Sequence, residues 1–132
     1  MTQEYHFDGF TIGSNPSKVG GGFTIKSTDG FLFTHRILRN PILYRDQPFT
    51  NNEGELLGAI FASAMAPHGA VLVTDSKNTE AWLRSGNPKA RPDLKWLCQL
   101  GQKIIKDKEQ TLQWRGRDHN LAGQHNEFQL GV

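Results

Sequence analysis

The fold of this protein is decided by the stretch Thr50-Asn51-Asn52-Glu53-Gly54-Glu55-Leu56-Leu57-Gly58-Ala59-Ile60-Phe61-Ala62. Its polar opening predicts a helix start, because a side-chain oxygen of Thr50 or Asn51 can accept hydrogen bonds from the free amides of the first turn. Large apolar residues then recur at helical spacing and predict one buried face, made by Leu56, Leu57, Ile60, Phe61 and Met65. Glu55 immediately precedes that face, so we expect its carboxylate at the edge of the core. The alternative is a solvated acid of the first helical turn.

The sequence before this helix predicts an antiparallel meander. Aromatic and branched residues indicate strands over residues 4–12, 19–27 and 31–38, separated by turn sequences. The glycines at 20–22 are not a dinucleotide-binding motif, because no helix follows them, and they favour a close backbone approach or a bulge. Asp8 lies within the first strand, where a carboxylate is desolvated unless a cation or hydrogen bonds compensate. A turn acid at the strand end is the alternative.

Beyond the helix, which we expect to end near Pro67-His68-Gly69, strands and helices alternate. Residues 70–76 form an apolar run that closes on Asp75, and a strand that is apolar on both faces is typical of the covered centre of a sheet. Ser76 can cap a helix that stops at Gly86. Pro92 opens another helix, whose predicted buried face comprises Leu94, Trp96, Leu97, Leu100, Ile104 and Ile105. A strand over 110–115 and a short helix or turn over 118–129 complete a mixed-sheet α/β layout.

Length and composition indicate one domain, residues 1–132, which is large enough to bury a core without disulfides. Cys98 is the only cysteine, which excludes an intramolecular disulfide or a cysteine metal cluster and points to a reducing compartment. No apolar run is long enough to cross a bilayer and the first residues do not resemble a signal peptide, so we expect a cytoplasmic or nucleoid-associated protein. With 15 basic and 13 acidic side chains, the net charge of +2 does not by itself indicate a polyanionic partner.

Three acids fall at equivalent places in this layout: Asp8 on the first strand, Glu55 at the first helix and Asp75 at the end of the fourth strand. If the first and fourth strands are neighbours, the three carboxylates converge. Close carboxylates repel one another unless a cation or proton lies between them, and hard divalent cations take oxygen ligands from separate elements. Two such ions would support phosphodiester hydrolysis, one activating water and the other stabilising the leaving oxygen.

On these residues the sequence resembles the ribonuclease H family, type 1, over nearly its whole length. The matching motifs are Asp8-Gly9 followed by Asn15-Pro16 and the glycine run, Thr50-Asn51-Asn52 with Glu55-Leu56, and Thr74-Asp75-Ser76. The resemblance implies an α/β ribonuclease H-like fold, with a five-stranded mixed sheet in the order 3-2-1-4-5 flanked by helices. It also implies endonucleolytic cleavage of the RNA strand of RNA–DNA hybrids with two Mg²⁺ or Mn²⁺ ions. Asp8 would bridge the ions, while Glu55 and Asp75 would hold the one nearer the leaving group.

The family's fourth metal ligand, an Asp near the start of the last helix, has no direct match. The run Arg117-Asp118-His119-Asn120 resembles the segment before that Asp and puts Gln124 in its place. Glu127, one turn further on, and Asn120, a neutral oxygen ligand, are the alternatives, and the choice stays open. A missing anionic ligand predicts an unusually high Mg²⁺ requirement or a preference for Mn²⁺. His119 is a candidate for proton transfer at neutral pH, with an ordinary surface histidine as the alternative.

Substrate contacts are implied by the same resemblance. Asn15, Asn51 and Asn52 match positions that contact the hybrid, and Thr50 matches one that binds a DNA phosphate, although all four also suit turns or caps. The stretch Gly86 to Pro92 is short, so the basic protrusion of some family members is missing here, which leaves Lys77, Lys89 and Arg91 as expected phosphate contacts. The implied partner is an RNA–DNA hybrid, and we expect a monomer with no obligate protein partner. The alternatives are an impaired module that binds hybrid or double-stranded RNA without cutting and, less favoured by the motifs, a nuclease that acts on DNA.

Overall fold

The structure, a computed structural model, describes residues 3–40 and 47–130. Its strands are β1 (Glu4–Thr11), β2 (Gly20–Ser27), β3 (Leu32–Leu38), β4 (Val71–Thr74) and β5 (Thr111–Trp114). Its α-helices are α1 (Asn51–Met65), α2 (Lys77–Ser85), α3 (Lys95–Asp107) and α4 (Leu121–Leu130), and short 3-10 turns at Pro92–Leu94 and Arg117–His119 precede the last two. All the predicted strands and helices are present. Within the described residues, no helix combines the length and apolar character needed to span a membrane.

The strands form one mixed sheet in the order β3-β2-β1-β4-β5. β2 pairs antiparallel with both β1 and β3, while β4 lies parallel between β1 and β5. The predicted class and strand order are therefore confirmed. Because β1 and β4 run in parallel, with His6 opposite Val73, Asp8 and Asp75 follow that pair toward the same edge of the sheet.

Helix α1 packs unusually close to the sheet. A Cβ atom on Gly9 would lie 2.4 Å from the amide nitrogen of Glu55, and one on Gly54 would lie 2.6 Å from the carbonyl oxygen of Gly22. Only glycine permits such approaches, since any side chain at these positions would collide with backbone. Gly22 belongs to the glycine run, so the close approach predicted for that run is observed, and the contact at Gly9 brings the backbone of Glu55 against β1.

The buried face of α1 differs from the predicted one. Leu56 and Ile60 are buried as expected, but Phe61 and Met65 are 39% and 38% exposed. The inward face is completed instead by the small residues Ala59, Ala62 and Ser63. The prediction followed the large apolar side chains, whereas the short distance between helix and sheet selects small ones.

The same correction applies to α3. Trp96 and Leu100, which were predicted to be buried, are 64% and 39% exposed. The buried positions are Cys98 and Gly101. A Cβ atom on Gly101 would lie 2.8 Å from the Leu83 side chain, so this face of α3 is fixed by close contact with α2 rather than by its largest residues.

Candidate active site

Asp8, Glu55 and Asp75 meet at one edge of the sheet. One carboxylate oxygen of each lies within 4.8 Å of the other two. β1 supplies Asp8, the start of α1 supplies Glu55, and Asp75 directly follows β4. The three carboxylates line an open cleft of about 360 Å³. The convergence predicted from the sequence is thus present in the structure.

Glu55 has one satisfied and one unsatisfied carboxylate oxygen. The amide of Gly9 donates to Oε1 at 2.8 Å, while Oε2 is buried with no hydrogen-bond partner among the described residues. Burial, followed by the nearby charge of Asp8, raises the pKa of Glu55 well above its ordinary range. The same two causes raise the pKa of Asp75 to about 6, against an opposing influence of Arg117. A buried oxygen without a donor and three mutually repelling carboxylates fit a divalent cation, which would compensate all of them.

Asn126 is a site residue that the sequence reasoning missed. Its side chain is fully buried, and Nδ2 donates to Oδ2 of Asp8 at 2.9 Å. Its Oδ1 accepts a hydrogen bond from Oγ1 of Thr24 at 2.6 Å. The available signal was a polar residue one turn after Ala122, on the buried face of α4. Asn126 therefore fixes the orientation of the Asp8 carboxylate from the side of α4.

The three candidates for a fourth ligand each have a hydrogen-bond or ion-pair partner outside the carboxylate cluster. Asn120 caps α4: Oδ1 accepts from the amide of Gly123 at 2.8 Å, and Nδ2 donates to the carbonyl of Phe7 at 3.1 Å. Gln124 is exposed and donates to the carbonyl of Asp118. Glu127 forms an ion pair of 2.7 Å with Arg117. None of the three candidates is among the described residues that line the cleft.

Two basic side chains lie at or beside the cleft. Arg117, which the sequence reasoning did not select, is part of the cleft wall. Lys77 is exposed at the start of α2, with its Nζ 3.7 Å from the centroid of the Trp114 ring. His119 is exposed in the turn before α4 and does not belong to the described lining of the cleft. The positive charge at the cleft wall thus comes from Arg117.

The asparagines predicted to contact substrate cluster at the start of α1. Asn51 and Asn52 line the cleft. Asn15 accepts a hydrogen bond from the amide of Asn51 at 3.2 Å, which ties the connection after β1 to the helix. Thr50 is the N-cap of α1, with its Oγ1 accepting from the amide of Glu53 at 3.1 Å. Asn51 and Asn52 thus place polar side chains beside the carboxylates.

The sheet order and the elements that carry the carboxylates define the ribonuclease H fold, and solved ribonuclease H structures match this chain. RNase H1 from the halophilic archaeon Halobacterium salinarum NRC-1 is 21% identical, with a TM-score of 0.68 over 100% of both chains. The N-terminal RNase H domain of Rv2228c from Mycobacterium tuberculosis, solved as a fusion with maltose-binding protein, is 20% identical, with a TM-score of 0.66 over 90% of this chain and 85% of that one. No family model and no curated protein matches the sequence. The resemblance drawn from the sequence is confirmed at the level of the fold.

Proposed function

We propose that this protein is an endoribonuclease that cleaves the RNA strand of RNA–DNA hybrids with Mg²⁺ or Mn²⁺, acting as a cytoplasmic monomer. The observation that carries the proposal is the convergence of three carboxylates from separate elements in an open cleft, with a buried oxygen of Glu55 that lacks a partner among the described residues. The ribonuclease H names of the similar structures support the same chemistry.

Asp8, Glu55 and Asp75 would hold two divalent ions. Such ions activate water for attack on a phosphodiester and stabilise charge on the leaving oxygen. The chain's own groups prepare the site, since the amide of Gly9 fixes one oxygen of Glu55 and Asn126 fixes one oxygen of Asp8. Ligands held in this way need little reorganisation when substrate binds.

Recognition of the hybrid would rest on the polar side chains around the cleft. The amides of Asn51 and Asn52 can bond to 2′-hydroxyls and base edges in the wide minor groove, which distinguishes an RNA strand. Asn15, Thr50 and Lys77 would contact phosphates beside it. Arg117 would place its guanidinium against the phosphodiester in the cleft, where charge-assisted hydrogen bonds are strong. His119, exposed before α4, would transfer a proton at neutral pH.

The fourth ligand can be tested by adding the charge that the sequence lacks. Gln124→Asp should lower the Mg²⁺ concentration for half-maximal cleavage by about tenfold, because ligand charge sets affinity for hard cations. Gln124→Ala is the matched control and should leave that concentration unchanged. If instead Glu127→Ala alone raises the Mg²⁺ requirement and Gln124→Asp has no effect, Glu127 is the fourth ligand. A lowered Mg²⁺ requirement in Asn120→Asp, with none in Gln124→Asp and no change in Glu127→Ala, would point to Asn120.

The proposed activity is tested with end-labelled RNA–DNA hybrid, double-stranded RNA and double-stranded DNA, each incubated with Mg²⁺ or Mn²⁺. We expect cleavage of the RNA strand of the hybrid alone, and no cleavage by Asp75→Asn. Cleavage of DNA, or full activity in Asp75→Asn, would contradict the proposal.

A second candidate function is a module that binds hybrid or double-stranded RNA without cutting. It is favoured by one observation: the described lining of the cleft has three carboxylates and an arginine, but no fourth carboxylate. The cleavage assay together with a filter-binding assay on the same hybrid separates the two, because a binding module would retain the hybrid while giving no product with either metal.

A further inference from the structure

The main-chain carbonyl of Asp75 lies at a break between two hydrogen-bond ladders. The ladder from β4 to β5 ends at the carbonyl of Thr74, which accepts an amide at 2.9 Å, and the ladder of α2 begins at the carbonyl of Ser76, which accepts one at 3.1 Å. The Asp75 carbonyl accepts instead from Nε1 of Trp114 at 3.0 Å. The indole of Trp114 thus bridges the break at the residue that carries the carboxylate.

The face of the same indole holds a cation. Nζ of Lys77 lies 3.7 Å from the ring centroid, a geometry in which the negative face of the ring attracts the ammonium. Trp114 is 38% exposed, so this pair lies at the surface, one residue along the chain from Ser76 in the cleft wall. Lys77 is also a proposed phosphate contact. One side chain therefore contacts both the backbone of a carboxylate ligand and a candidate substrate-binding cation.

We infer that Trp114 is a positioning residue that sets the Asp75 carboxylate through its N–H and the Lys77 ammonium through its ring. The inference rests on the proposed ribonuclease function. Two bonds hold the peptide between Asp75 and Ser76: its carbonyl accepts from Trp114, and its N–H donates to Oγ1 of Thr74 at 3.1 Å. Without the indole N–H only the second remains, so the peptide and the Asp75 carboxylate that it carries gain freedom. Small misplacements of catalytic groups are costly, so an effect on turnover is expected although Trp114 touches no reacting atom.

Two substitutions separate the two contacts. Trp114→Phe keeps a ring under Lys77 and removes the N–H. We therefore expect kcat for hybrid cleavage to fall about 3- to 10-fold, which corresponds to the loss of one hydrogen bond, while KM stays within about twofold. The Kd for Mn²⁺, measured by calorimetry on the protein alone, should rise by a similar factor. Trp114→Leu removes both contacts and should in addition raise KM about threefold. Trp96→Phe, at the 64% exposed tryptophan of α3, is the control and should change none of these values.

The outcomes distinguish this inference from the proposed function. If the wild type cuts the hybrid and Trp114→Phe matches it in kcat and Mn²⁺ affinity, the inference is overturned. A variant that loses only melting temperature also overturns it, because the role is then merely structural. If the wild type cuts nothing, the proposed function fails, and the Mn²⁺ titration still decides whether Trp114 positions Asp75: a raised Kd in Trp114→Phe supports it and an unchanged one overturns it.

Discussion

Asn126 binds Asp8 with one end of its amide and Thr24 with the other, and it is fully buried. Replacing it by alanine leaves a buried carboxylate without its donor. We expect Asn126→Ala to lower the free energy of unfolding by about 1–3 kcal/mol. We also expect it to weaken Mn²⁺ binding about tenfold, as loss of an outer-shell partner does in other metal sites. Thermal melts and calorimetric Mn²⁺ titration measure the two effects.

Asn87→Ala is the matched control, because Asn87 is an exposed asparagine between α2 and α3. It should change neither stability nor Mn²⁺ affinity. Equal behaviour of the two variants would show that Asn126 does not support Asp8.

The raised pKa of Asp75 predicts that the stability of the metal-free protein depends on pH. In the folded protein Asp75 keeps its proton up to about pH 6, whereas in the unfolded chain it releases it near 3.8. The folded state therefore binds more protons over that range, and the free energy of unfolding falls as pH rises through it. Without divalent ions, the melting temperature of Asp75→Asn at pH 8 should be about 3 °C above that of the wild type. The gain is small because Asp75 is partly exposed and solvent screens its charge. At pH 4 the difference should nearly vanish.

Calorimetry in a chelating buffer measures this difference. Asp107→Asn, at an exposed acid of α3 paired with Lys103, is the control and should show no such trend. An equal gain for Asp75→Asn at both pH values would contradict the assigned cause.

The sequence allowed the prediction that three carboxylates converge, but it did not point to the residues that contact them from distant parts of the chain. Asp8, Glu55 and Asp75 could be selected because each is an acid at a recognisable place: Asp8 within a predicted strand, Glu55 in the opening of a helix and Asp75 at the end of an apolar strand. Asn126 contacts Asp8 across 118 positions of the chain, and no local spacing encodes that pairing. Trp114 was missed for the same reason, since its role depends on the β4–β5 register.

At the scale of secondary structure, the end of α1 depends on a side chain from another element. Its last turn contains no basic residue, but Nζ of Lys108, at the end of α3, donates to three carbonyls there, those of Ser63, Ala64 and Ala66. A cation at a helix C-terminus also stabilises the helix dipole. Lys108→Ala should therefore cost about 1–2 kcal/mol of stability. Mn²⁺ affinity should not change, because Glu55 lies near the other end of the helix.

Chemical denaturation with a parallel Mn²⁺ titration tests this prediction. Lys103→Ala is the control, because Lys103 is exposed and only pairs with Asp107 one turn away. Its effect should stay below about 0.5 kcal/mol. A loss of Mn²⁺ affinity in Lys108→Ala would contradict the assignment of a purely stabilising role.

The elements themselves were predictable because their boundaries carry capping signals. Thr50 and Ser76 cap their helices as expected, and Gly86 ends α2 in the left-handed conformation. The buried faces of α1 and α3 were less predictable, as the exposed Phe61 and Trp96 show. The distance between packed elements decides whether large or small residues point inward. Helical periodicity contains no information on that distance.

At the scale of the whole molecule, the sheet is open and β3 forms one of its outer edges. Leu32 and Leu38 on that strand are 49% and 76% exposed. No further strand pairs with β3 in the described ranges, and exposed apolar edges promote association between chains. We expect a monomer at low concentration and association at high concentration.

Leu38→Lys should suppress that association, shift the melting temperature by less than about 2 °C and leave hybrid cleavage unchanged. Light scattering over a concentration series tests this. Lys18→Ala, at an exposed position outside β3, should associate like the wild type. Association that persists in Leu38→Lys would place the contact elsewhere.

The attachment of α4 to β1 has a consequence for how the protein is made. Three hydrogen bonds make this attachment. Nδ1 of His6 accepts one from the amide of Leu121 at 3.1 Å, Asn120 donates one to the carbonyl of Phe7, and Asn126 donates one to the Asp8 carboxylate. Chains emerge from the ribosome with the N-terminal part first, and a domain generally folds as a unit. All three carboxylates are therefore synthesised well before the helix that fixes the first of them. If the proposed function holds, we expect the nascent chain to gain nuclease activity only after translation has passed α4.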